Sequence, residues 1–185
     1  MRQGTWILAV AVAAGCAAQP VATTRPTTTI AAMAGVTWFQ DATSQMRFAY
    51  PDSWHPVKDD TVLTLVPAGE SKIGMHTVVI DEPDLPPHFP GLIPLGLFEA
   101  GFVADVQSRY KQVTLTPSTE RLLAGVKGRF VQAKGRGDLG ERVVVALLCV
   151  RGDHVFLIDA ETDAAGAAAA RAAFETVVSS MQWTD

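Results

Sequence analysis

The sequence predicts an α+β domain in which an antiparallel β-sheet is sandwiched between helices, and three observations carry that expectation. Three apolar runs, Val126 to Lys134, Arg142 to Val150 and Val155 to Ala160, follow one another through the joints Gly135-Arg136-Gly137-Asp138-Leu139-Gly140 and Arg151-Gly152-Asp153. Joints this short make the runs an antiparallel meander, because a parallel crossover needs a dozen or more residues. In the middle run Val143, Val145, Leu147 and Cys149 face one way and Val144, Ala146, Leu148 and Val150 the other, so the strand is apolar on both sides and needs a cover on both. Two segments of helical period, Leu95 to Lys111 and Ala164 to Met181, are the candidate covers.

Composition narrows the possible functions. The chain has 185 residues, 48% hydrophobic and 18% charged, with a formal charge of −4, which fits one globular domain and excludes a wholly disordered chain. With 15 basic against 19 acidic residues there is no basic surplus for a nucleic-acid footprint. Two cysteines cannot staple a disulfide scaffold.

Residues 1–15 read as a signal peptide: Arg2 supplies a charge, Thr5 to Ala14 is an apolar or small run too short to cross a bilayer as a helix, and Gly15-Cys16 follows. The segment Ala13-Ala14-Gly15-Cys16 resembles the lipobox of bacterial lipoproteins, departing from it at Ala13, where Leu is usual. That resemblance implies a diacylated Cys16 at the new N-terminus, a palmitate-type anchor and a cell-envelope location. Ala17 after Cys16 points to the periplasmic face of the outer membrane if the cell is Gram-negative. Secretion with cleavage at a nearby Ala-x-Ala-like site is the alternative. Since the chain is acidic, membrane attachment rests on the acyl chains rather than on attraction to anionic lipid. Residues 16–35 then form a Thr/Pro/Ala tether with Arg25 as its one charge, and the folded domain occupies 36–185.

Within that domain, Gln45 to Tyr50 alternates, placing Met46, Phe48 and Tyr50 on one face before a turn at Pro51-Asp52. Thr61 to Val66 and Ile73 to Ile80 are the next strands, and a loop with four prolines runs from Asp84 to Pro94. In the first helix Phe98, Phe102, Val106 and Tyr110 fall four apart and form the buried stripe. The meander follows. Thr162-Asp163 then caps the last helix, whose core stripe is Phe174, Val177, Val178 and Met181.

The strand ending Phe48-Ala49-Tyr50-Pro51-Asp52-Ser53-Trp54, followed by further strands, a middle helix, a meander and a last helix ending Phe174-Glu175-Thr176-Val177-Val178-Ser179-Ser180-Met181, resembles the PsbP-like group over about Val36 to Trp183. That group includes the extrinsic PsbP subunit of photosystem II and bacterial lipoproteins of unassigned role. The resemblance implies a PsbP-like α/β/α sandwich and an accessory or binding role in place of catalysis. It carries over no binding residue, because the matching positions are fold determinants.

Other motifs reduce to turn chemistry or core packing. Gly135-x-Gly137-x-x-Gly140 matches a dinucleotide fingerprint, but a strand follows it where that site needs a helix N-terminus. Arg151-Gly152-Asp153 is an ordinary Gly-Asp turn. Cys149, in an apolar strand, reads as a buried small hydrophobe. No nucleophile elbow, zinc-protease helix or phosphate loop occurs, so neither an enzyme nor a cofactor is expected.

Two functional readings remain. The first is a lipid-anchored envelope accessory module that presents a rigid surface, with Phe89, Leu92 and Ile93 of the proline-rich loop touching an envelope protein partner. The second is a small-ligand or metal-binding envelope protein with a pocket near His76 and His88, to which Asp81 and Asp84 would add carboxylates; the spacing matches no compact metal motif.

Overall fold

The computed structural model describes residues 35–59, 62–70, 77–81, 94–138, 140–152 and 154–184. In chain order they form β1 (Val36–Asp41), β2 (Met46–Pro51), β3 (Trp54–Asp59), β4 (Val62–Pro67), β5 (Thr77–Asp81), α1 (Leu95–Arg109), β6 (Lys111–Leu123), β7 (Val126–Gly137), β8 (Gly140–Arg151), β9 (His154–Asp163), α2 (Ala167–Ser180) and β10 (Gln182–Trp183). Seven strands make one antiparallel sheet in the order β3-β4-β5-β9-β8-β7-β6, and β1-β2-β10 make a second, small one.

The expected meander is longer than its apolar runs. Pairing of β7 with β8 continues through Gly135↔Arg142 to Gly137↔Gly140, so most of the glycine-rich joint is strand. Hydrogen bonding between backbones carries the ladder past the point where apolar side chains stop. At the other end Ala124 and Gly125, both at positive φ (48° and 85°), close the β6–β7 hairpin with the left-handed pair that a two-residue turn requires.

The twofold apolar pattern of β8 does what it predicts. Val144, Ala146 and Leu148 pack with Val131 and Ala133 under Phe102 and Val106 of α1. Val145, Leu147 and Cys149 join Phe156, Ile158 and the α2 residues Ala170, Ala173, Phe174, Val177 and Val178 on the opposite face. Burying each large apolar side chain of this layer contributes about 1.5–3 kcal/mol. The sandwich is nonetheless uneven. α1 covers one face over β6, β7 and β8, whereas α2 shares the other with the small sheet, whose Met46, Phe48 and Tyr50 enter the same core. Ser180 Oγ accepts the Ala49 N–H at 2.8 Å, tying α2 to β2. Asp41 on β1 pairs with Lys58 on β3 and accepts the Thr43 N–H, linking the two sheets. Burial opposes ionisation of Asp41, but these donors hold its carboxyl below the usual range.

Several boundaries differ from expectation. Pro51 closes β2 and the turn falls at Asp52-Ser53. β9 runs on to Asp163, so α2 starts at Ala167 rather than Ala164; Asp163 still serves its entry, accepting the Gly166 N–H at 2.8 Å. α1 ends at Arg109, and of its expected stripe Phe102 and Val106 are buried while Phe98 and Tyr110 are half-buried. The strand expected over Ile73 to Ile80 is described only from Thr77. Four strands, β1, β3, β6 and β10, had no counterpart among the expected elements.

Candidate functional site

Of the residues singled out from sequence, Cys16, His76, Asp84, His88, Phe89, Leu92 and Ile93 lie outside the described residues. Asp81 ends β5, paired with Val62 on β4 and Leu157 on β9. Among the described residues no three His, Cys, Asp or Glu side chains are gathered as a metal-holding group. The Cys149 thiol is fully buried, and desolvation pushes it up to about 12, so it is an inert core residue.

What sequence reasoning missed is a polar cluster where α1 meets the sheet. Arg109, the last residue of α1, donates to Asp105 one helical turn earlier, at 3.0 Å from Nε and 2.9 Å from Nη2, and its Nη1 reaches Glu161 on β9. The hydroxyl of Tyr110 donates to the other oxygen of the same carboxylate. Burial, the bond to Glu161 and that carboxylate's charge push the Tyr110 phenol up to about 12. Its ring lies flat against β7 at Gly135 and Gly137, which explains two glycines of the dinucleotide-like motif: they make room for an aromatic ring rather than for a pyrophosphate. Two residues back along β9, on the same face as Glu161, Asp159 is half-buried. Burial and the nearby charges of Glu161, Asp81 and Asp105, opposed by Arg109, push its carboxyl up to about 7. The cluster thus anchors the end of α1 and holds one acid that changes charge near neutral pH.

A groove of about 490 Å³ runs between α1 and β6, walled by Glu99, Ala100 and Val103 on the helix, Leu115 and Pro117 on the strand, and Val131 at its base. β6 is the end strand of the large sheet, with a register break between Thr116 and Thr119 where Pro117 interrupts the ladder. Leu115 in this groove is 36% exposed, and two further leucines are more exposed still, Leu97 of α1 at 62% and Leu122 of β6 at 57%.

No protein-family model matches the sequence, and no curated protein is similar to it at the level of sequence. Solved structures do match. Cyanobacterial PsbP (CyanoP) from Synechocystis sp. PCC 6803 is 18% identical with a TM-score of 0.58, over 82% of this chain and 94% of that one. LpqN of Mycobacterium tuberculosis, described as involved in cell envelope biogenesis, is 12% identical with a TM-score of 0.55, over 76% of this chain and 83% of that one. A protein of Bacteroides thetaiotaomicron matches at 9% identity and a TM-score of 0.54, over 83% of this chain but only 50% of its own. The seven-stranded antiparallel sheet with α1 on one face and α2 on the other is the PsbP-like fold.

Proposed function

We propose that this protein is a cell-envelope accessory module without catalytic activity, tethered through a lipid on Cys16, that presents the α1–β6 flank of its domain to an envelope protein. The observation that carries this reading is the groove between α1 and β6, where the partly exposed Leu115 stands with Ala100, Val103 and Pro117 along an open channel. A monomer gains nothing from exposing them together, whereas a partner that covers them contributes about 25 cal/mol per Å² of apolar area. The proline-rich loop, with Phe89, Leu92 and Ile93, immediately precedes α1 in the chain and adds apolar residues to the reading. The lipobox-like Ala13-Ala14-Gly15-Cys16 supports the anchor, and the envelope role stated for LpqN, which shares the fold, supports the setting.

Photo-crosslinking in the native cells tests this. A probe at Leu97 is expected to capture one envelope protein that a probe at Ser179, exposed on α2, does not. Leu115→Asp should abolish that capture while leaving the melting temperature nearly unchanged. Equal background from both probes, or capture indifferent to Leu115→Asp, refutes the surface. The anchor is tested separately by the intact mass of membrane-fraction protein, where an unmodified Cys16 or an uncut leader refutes lipidation.

A further inference from the structure

We propose that the cavity beneath the first turns of α2 is a binding site for a small organic anion, a carboxylate carrying a short hydrocarbon tail. The cavity holds about 230 Å³ and is lined by two rows of side chains from three adjacent strands. Gln132, Val145 and Ala160 form one row, and Lys134, Val143 and Thr162 the other, as the strand registers require. Ala167, Ala170 and Arg171 of α2 close it from above. Farther along the same helix Phe174, Val177 and Val178 fill the layer against the sheet; here alanine faces alanine and the space stays open.

One group inside it has no structural use. Thr162 is only 3% exposed, and its Oγ1 is buried with no hydrogen-bond partner among the described residues. A buried hydroxyl left in that condition destabilises the fold, and a ligand oxygen in the cavity would relieve it. The charges around the cavity agree on the sign of the ligand. Its lining includes two cations, Lys134 and Arg171, and no acid. α2 is 14 residues long and its first turn carries no acidic side chain, so the helix adds no negative charge of its own to the cavity it covers. Val143, Val145 and Ala160 below and Ala170 above supply apolar walls that an inorganic anion could not use. The space is somewhat larger than the roughly 150 Å³ apolar cavity that takes up benzene, which sets the ligand at about six to ten non-hydrogen atoms.

Sodium hexanoate is a suitable probe, titrated calorimetrically into the full chain, with hexan-1-ol and inorganic phosphate as comparisons. Saturable binding of hexanoate is expected, about tenfold or more tighter than either comparison. Thr162→Val should weaken it by about tenfold, the net worth of one hydrogen bond to a charged acceptor. Arg171→Glu, at an exposed helix position, should weaken hexanoate while leaving hexan-1-ol unchanged. Ala170→Leu, which fills the space, should abolish binding; should that variant fail to fold, Arg171→Glu alone decides. Absence of saturable hexanoate binding overturns the proposal. So do hexan-1-ol binding as tightly, phosphate binding as tightly, or indifference of hexanoate to Arg171→Glu.

Discussion

Tyr110 lies so close to Gly135 that a β-carbon on that glycine would stand 2.6 Å from the Tyr110 Cβ and 3.0 Å from its Cγ. Gly135→Ala should therefore cost about 1–3 kcal/mol in urea unfolding, the usual penalty of overpacking a contact that cannot yield. Because the nearest atom is the β-carbon of Tyr110, Tyr110→Ala should not rescue Gly135→Ala, whereas Tyr110→Gly should. At Gly137 the conflict is with ring carbons at 3.2 Å, so Gly137→Ala should be milder and Tyr110→Ala should relieve it. The reverse pattern of rescue would mean that the ring is not what requires the glycines.

Asp159 makes stability depend on pH. Its carboxyl is raised from 3.8 to about 7, so between those values the folded state binds more protons than the unfolded one and stability falls as pH rises through that window. Asp159→Asn keeps the shape of the neutral acid without its charge. It should be nearly neutral at pH 4 and stabilising by about 1 kcal/mol or more at pH 8, read from melting curves at both values. A stabilisation that is the same at both pH values would remove Asp159 as the titrating group.

Arg121 on β6 holds Glu175 of α2 with both ends of its guanidinium, at 3.1 and 2.5 Å, while lying over the rings of Phe130 and Phe174 at 5.4 and 5.9 Å. The hydrogen bond from Arg121 lowers the Glu175 carboxyl below 4.5. The contribution of the pair is thus present above that value and lost as pH falls through the lowered one. Arg121→Ala should cost about 1–2 kcal/mol at pH 7, a modest figure because the pair is partly in water. Arg121→Lys should recover less than half, since it loses the fork and the stacking. The gap between wild type and Arg121→Ala should narrow below pH 4.

Cys149 should label with a thiol reagent only as fast as the domain unfolds, because the thiolate is both inaccessible and suppressed. Peptide-resolved mass spectrometry separates it from Cys16. Labelling of Cys149 that is independent of urea would show a local opening of β8. Cys149→Ser should cost about 1–3 kcal/mol, the desolvation of a hydroxyl in an apolar core.

Sequence pattern exposed the elements whose burial is periodic. β8 is legible because both of its faces are covered, and α2 because Phe174, Val177 and Val178 recur on one face. β6 escaped because it is an end strand: Lys111 to Glu120 is mostly polar and exposed, Pro117 interrupts it, and what makes it a strand is its ladder to β7. β3 escaped for a similar reason, with only Trp54 fully buried and Pro56 in its middle. The polar cluster was invisible because Arg109 and Glu161 stand 52 residues apart and meet only when α1 docks on the sheet. Thr162 drew notice as part of a helix cap, yet its side chain points into the cavity under α2 and its neighbour Asp163 does the capping.

The attachment of α2 and β10 to β2 sets the order in which the chain is completed during synthesis. Ala49 waits for Ser180 across 131 residues, and Arg47 for Gln182, whose Oε1 accepts its guanidinium at 2.9 Å, across 135. Until Phe174 to Trp183 leave the ribosome, the buried face of Met46, Phe48 and Tyr50 has no lid, however well the later meander has formed. A nascent chain therefore carries an open apolar strand for nearly its whole elongation, and a copy that stops ten residues short is a client for chaperones and proteases rather than a slightly weakened protein.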